Sequence, residues 1–204
     1  MTGELLHAPR RFRSPVYGES GYERRANDAF YTEHWVTRAL VDVVRFRGWV
    51  WEPAAGRGDI SIVLNQAGYS VLGSDIEPAA GGIARLDFLA EADLIGPSVQ
   101  SIITNPPYGK TGAEFARHAL KLTEPIGGMV ALLARHEWDS AAERRDIFAR
   151  HPAFAVKVTL TRRPLWDWWG EQTPGKRAAP RHNFAWYVWD WQHKGGGARV
   201  AYAP

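Results

Sequence analysis

No cysteine occurs anywhere in the 204 residues. That excludes a disulfide framework, cysteine-ligated zinc, iron–sulfur clusters and any thiol nucleophile. Long apolar runs are missing too: none approaches the ~20 residues that span a bilayer. The opening stretch, MTGELLHAPRRFRSP, lacks the continuous apolar core of a secretory signal. A soluble, cytoplasmic chain is the expectation. His34, His118 and His136 show no metal-ligand spacing, and no metal is assigned. There is no internal repeat and no low-complexity segment.

Net charge is small, +3, but it is distributed unevenly. Residues 1–25 carry five Arg against three acids, 26–156 carry 12 basic against 16 acidic residues, and 157–204 carry eight basic against three acidic. An acidic middle between basic ends suggests a polyanion at the periphery and something else at the centre. With 45% hydrophobic residues, the chain reads as one globular domain. Residues 1–25 mix Gly, Pro, Ser and Arg without periodicity and read as a basic arm, leaving 26–204 as the folded domain.

Strand-like and helix-like segments alternate. Thr32 is a natural N-cap for a helix reaching Phe46, and 49–51 is a short strand ending at Glu52-Pro53. A helix over 59–66, a strand at 69–72, a short strand near Ile83 and a strand over 99–104 follow. Beyond them come a helix over 114–122, a fully apolar strand at 129–134, a helix over 140–150, and strands at 156–161 and 184–189. This predicts an α/β fold: a doubly wound, mostly parallel, seven-stranded sheet with right-handed crossovers. Ligands of such sheets sit beyond the carboxyl ends of the strands. Four of those ends carry unusual residues: Glu52 to Gly58, Asp75, Asp87, and Asn105 to Tyr108.

At the first end, Gly56 and Gly58 let the backbone pass close to a ligand. Asp75 lies 19 residues beyond Gly56, the spacing at which a carboxylate takes the hydroxyls of an adenosine ribose. A nicotinamide enzyme would usually place a third Gly where this chain has Ser61. Glu52 before the turn and Asp59 after it disfavour a pyrophosphate and favour a cation, which suits the ammonium and sulfonium of S-adenosylmethionine. At the last end, Asn105-Pro106-Pro107-Tyr108 follows an apolar strand directly. Two prolines cannot join a sheet ladder and make a rigid, extended loop. It presents an amide oxygen on Asn105, the Pro106 carbonyl and the Tyr108 ring, a set suited to a planar substrate bearing an amino group.

Phe30-Tyr31-Thr32, Glu52-Pro53-Ala54-Ala55-Gly56-Arg57-Gly58, Asp75-Ile76, Asp87-Phe88 and Asn105-Pro106-Pro107-Tyr108 together resemble the ordered motifs of the S-adenosylmethionine-dependent DNA amino-methyltransferases. The likeness is to the adenine-specific branch with the cofactor motifs first, and to its small phage and prophage members. It covers roughly residues 28–135. The resemblance implies a Rossmann-like class I methyltransferase domain that methylates adenine N6 in duplex DNA after flipping the base. It implies that Tyr31 and Thr32 contact the methionine part of the cofactor, with Glu52, Ala54 and Gly56 around it and Gly58 in the same cofactor-binding turn. Asp75 would hold the ribose, Ile76 pack on the adenine, Asp87 bond its amino group and Phe88 pack against its ring. Asn105 to Tyr108 would hold the target amine. The separate target-recognition domain usual in that branch is expected to be absent here or reduced to a loop.

A basic, Trp-rich loop over 162–183 is the expected nucleic-acid contact, with Arg162, Arg163, Trp166, Trp168, Trp169, Lys176, Arg177 and Arg181, and Phe184 just beyond it. Trp186, Trp189 and Trp191 read as packing around the last strand. Amino methylation of cytosine, of RNA adenine or of a protein glutamine amide are the alternatives. The first more often has Ser at position 105, and the last typically Asp-Leu-Gly-Thr-Gly at the cofactor turn. Ring-carbon cytosine methylation is excluded, because it needs a cysteine.

Overall fold

The computed structural model describes residues 30–90, 97–165, 167–168 and 182–203. Eight strands form one sheet in the order β10-β7-β9-β6-β5-β2-β3-β4. They are β2 (Trp49–Glu52), β3 (Val71–Asp75), β4 (Ala84–Arg85), β5 (Val99–Thr104), β6 (Met129–Arg135), β7 (Phe154–Leu160), β9 (Phe184–Asp190) and β10 (Arg199–Ala203). Only β9 runs against its neighbours β6 and β7. This is the Rossmann-like, mostly parallel α/β arrangement expected, with one correction: the sheet has eight strands rather than seven, β10 adding parallel to β7 at the edge. A separate antiparallel pair joins β1 (Phe30–Tyr31) to β8 (Asp167–Trp168).

Both sheet faces are covered, and alternate residues of each central strand divide between them. On one face α1 (His34–Val43) and α2 (Asp59–Gln66) pack with Val50, Ala131, Leu133, Trp186 and Val188. On the other α3 (Lys110–Thr123) and α4 (Arg145–Phe148) pack with Trp51, Val130, Leu132, Tyr187 and Trp189. Trp186 and Trp189 are fully buried, and their indole N–H groups donate to the Val36 carbonyl at 2.9 Å and the Ile147 carbonyl at 2.7 Å. They are core residues, as expected.

Several boundaries differ from the sequence reading. Helix α1 begins after Glu33, not Thr32, and ends at Val43. Helix α3 begins at Lys110, four residues before the expected Glu114. The helix expected over 140–150 shrinks to two 3₁₀ turns and Arg145–Phe148. Its many charged residues supply too few apolar anchors, and only Ile147 and Phe148 are buried there.

Trp51 braces the junction of β2 and β3 beneath Phe88. Its indole N–H donates 2.8 Å to the buried Ser74 hydroxyl, tying β2 to β3, and its ring meets Phe88 edge-on at 5.0 Å. Trp51→Phe leaves Ser74 without that donor and opens a small void. We expect a loss of about 1–2 kcal/mol in urea unfolding. An unchanged midpoint would show that the brace contributes nothing.

Candidate active site

A cavity of about 370 Å3 lies beyond the carboxyl ends of β2, β3 and β5, within the range of small-molecule sites. Of the residues expected around a cofactor, Tyr31, Thr32, Glu52, Ala54, Gly56, Asp75, Ile76, Asp87 and Phe88 line it. Gly58 does not. It sits at the N-cap of α2 with φ of 88°, a left-handed conformation that turns the chain into the helix. Asn105, Pro106, Pro107 and Tyr108 line the same cavity, so both motif groups converge on one space.

The wall at the end of β2 is acidic. Glu52 is buried, and one carboxylate oxygen accepts from the Ser61 backbone N–H at 2.8 Å and also from the Ser61 hydroxyl. Burial pushes its pKa up to about 8, against the downward pull of the two Ser61 bonds, and Asp59 and Asp75 push it further. Asp75 receives the Gly56 N–H at 2.7 Å and the Glu77 N–H at 2.8 Å, which fixes both the glycine turn and its own carboxylate. Asp59 is held by the Arg57 guanidinium at 2.7 Å, with the His34 ring 3.6 Å away. Arg57 in turn stacks over the Tyr31 ring at 4.1 Å. Burial raises the pKa of the Tyr31 phenol. Asp59, the acid that follows the turn, lines the cavity, and Ser61 supports Glu52; Phe115 also lines it and is not among the site residues singled out from the sequence. Phe115 follows the apolar spacing of α3 and is indistinguishable from core by pattern alone.

Phe88 is almost fully buried, between Trp51, Phe115 and His118, with an edge on the cavity. Ile76 is half exposed at the rim, and Asp87 accepts the Leu89 N–H at 3.0 Å in a local turn.

At the end of β5 the Asn105 amide N–H donates to the Thr32 hydroxyl at 3.3 Å. This fixes the amide, and Asn105 Oδ1 is buried without a partner among the described residues. Thr32 thus acts on Asn105 as well as lining the cavity. The Tyr108 ring is backed by Phe184, with ring centroids 6.2 Å apart.

The residues expected to contact nucleic acid divide. Arg162 is exposed and stacks over the Trp35 ring at 4.0 Å, while Arg163 donates to Asn183 Oδ1 at 2.9 Å. Phe184 is corrected: at 2% exposure it opens β9 inside the core and supports Tyr108, so it offers no ring to a solvent-side ligand. Trp168 contributes its backbone to β8. Trp166, Trp169, Lys176, Arg177 and Arg181 lie outside the described residues, as does the arm at 1–25. Among the described residues no group of three or more acidic or histidine side chains could hold a metal. No helix there is long and apolar enough to cross a membrane.

No protein-family model and no curated protein sequence matches this chain. Solved structures do. An rRNA methylase from Streptococcus thermophilus is 18% identical, with 77% of this chain and 94% of that one covered and a TM-score of 0.47. A TehB-like S-adenosylmethionine-dependent methyltransferase from Corynebacterium glutamicum is 14% identical over 76% and 85%, with a TM-score of 0.43. The type IIG restriction endonuclease BpuSI is 13% identical over 82% of this chain and 25% of its own, with a TM-score of 0.47. Such values say nothing of substrate.

Proposed function

We propose that the chain is an S-adenosylmethionine-dependent methyltransferase acting on the exocyclic amino group of adenine in duplex DNA, with the target base flipped into the cavity. The observation that carries the reading is Asn105 Oδ1: an oriented, buried acceptor with no partner among the described residues, at the wall of a cavity whose far side is acidic. Buried polar groups left unpaired in a folded protein are rare and point to a ligand donor. An amino group supplies one.

The residues present fit the cofactor. Asp59 and Asp75, joined by Glu52 once it gives up its proton, give the cavity the negative wall that an ammonium and a sulfonium need, while Phe88 and Ile76 offer apolar surface to an adenine. The cofactor, when bound, supplies an electrophilic methyl group. The chain's own part is to orient the acceptor amine. Asn105 Oδ1 and the Pro106 carbonyl take its two N–H bonds, drawing the nitrogen lone pair out of conjugation with the ring. Tyr108, supported by Phe184, offers the stacking face. A base stacked on an aromatic ring gains about 1–3 kcal/mol, which offsets part of the cost of leaving the duplex. No general base is needed close by, since the amine becomes acidic as it is alkylated and its proton passes to solvent.

The test is transfer of label from S-adenosylmethionine into duplex DNA, followed by nucleoside analysis. Labelled N6-methyladenine supports the reading. Label in cytosine, only in RNA, or only in protein replaces it with the corresponding alternative. Asp75→Ala is expected to weaken cofactor binding by about 10- to 100-fold, the worth of losing hydrogen bonds to a charged group. Calorimetry with S-adenosylhomocysteine reads this, and an unchanged dissociation constant removes Asp75 from the ribose site.

A further inference from the structure

We propose that Glu33 is a positioning residue that clamps the basic segment 162–165 beside the entrance of the active-site cavity. The carbonyl of Glu33 starts α1 by accepting the Val36 N–H at 2.9 Å, but its side chain makes no cap on that helix. Instead Oε2 accepts two donors from different parts of the chain: the Trp35 indole N–H at 2.9 Å and the Leu165 backbone N–H at 2.8 Å. The first bond sets the orientation of the Trp35 ring, over which the Arg162 guanidinium lies at 4.0 Å. The second pins the chain three residues further on. Beyond it, β8 pairs with Phe30–Tyr31, and Tyr31 lines the cavity.

One carboxylate oxygen thus joins a cationic segment to the stretch that borders both the acidic wall and, through Thr32, Asn105. A guanidinium held over an indole face can still turn N–H donors toward a phosphate, and Arg162 is exposed. Held this way, Arg162 presents its charge close to where a flipped nucleotide must enter. The contact to nucleic acid rests on the proposed function; the clamp itself does not.

The experiment compares Glu33→Ala and Glu33→Gln. Glu33→Ala should speed hydrogen exchange of the Leu165 amide about tenfold or more while leaving the Trp186 amide in β9 unchanged. It should raise KM for a duplex oligonucleotide about tenfold, with kcat and the dissociation constant for S-adenosylhomocysteine within about twofold. Glu33→Gln keeps an acceptor oxygen at the same reach and should recover most of both effects. Unchanged exchange at Leu165 overturns the clamp. So does a parallel loss of cofactor binding, which marks a general structural defect, or a Gln variant as impaired as the Ala variant. If the wild-type protein neither binds nor methylates the duplex, the substrate reading falls, and exchange at Leu165 still decides the role of Glu33.

Discussion

Asn105→Ala is expected to lower the rate of methyl transfer by about 10³-fold or more while leaving cofactor affinity within about threefold. The split follows from where the side chain sits. Asn105 Oδ1 touches no protein donor among the described residues, and the acidic wall is built by β2, β3 and α2, not by β5. On the proposed function, removing the amide takes away the interaction of Oδ1 with the acceptor amine, one that strengthens as positive charge develops on nitrogen. Folding stability should hardly move. Truncation deletes a buried acceptor that contributes no protein hydrogen bond and gives up only the 3.3 Å bond to Thr32. Asn105→Asp keeps an acceptor at the same place, and the Thr32 hydroxyl can then donate to it, so this variant should retain far more activity than Asn105→Ala. Single-turnover kinetics with saturating cofactor compares the transfer rates of both variants with wild type, and calorimetry with S-adenosylhomocysteine reads cofactor affinity. An alanine variant that still transfers methyl at near wild-type rate would remove Asn105 from the chemistry.

Much of this arrangement is written locally. The apolar run of 99–104 meeting Asn-Pro-Pro-Tyr, and the Glu52–Gly58 turn with Gly56 nineteen residues ahead of Asp75, are short-range patterns, and both end on the same cavity. The continuous apolar run of 184–189 places Trp186 and Trp189 in the core because a strand between two covered faces buries every residue. The losses are long-range. β10 is five residues at an edge with Val200 and Tyr202 exposed, so it carries no core signature. The β1–β8 pair is two residues long and joins points far apart in the chain. Phe184, grouped from sequence with the basic loop before it, continues the burial pattern of β9. Thr32 looks like a helix cap until Asn105, 73 positions on, takes its hydroxyl as acceptor. The bond from Leu165 to Glu33 spans 132 positions, and no local periodicity encodes it.

Cofactor affinity is expected to rise with pH up to about 8, by as much as tenfold per unit, because binding drives a proton from Glu52. The side chain is 1% exposed, and burial holds its pKa at about 8 despite the two bonds from Ser61. At neutral pH the free protein therefore keeps Glu52 largely protonated, and a cationic ligand must displace that proton to gain a full counter-charge. Calorimetry in two buffers of different ionisation enthalpy reads the proton released. Stability moves the other way. The folded pKa stands above the unfolded value of 4.5, so the stability linked to this proton is fully present below about 4.5 and is lost as pH rises through about 8. Glu52→Gln keeps the shape and a hydrogen-bond acceptor for Ser61 but cannot ionise. It should bind cofactor about 100-fold more weakly at pH 8, lose most of the pH dependence of binding, and unfold at a higher temperature than wild type at that pH. His34, 3.6 Å from Asp59, remains in the variant, so the difference between the two proteins isolates Glu52. A wild-type dissociation constant that stays flat from pH 6 to pH 8, or a Gln variant that binds as tightly as wild type, would show that the buried carboxylate serves the fold and not the ligand.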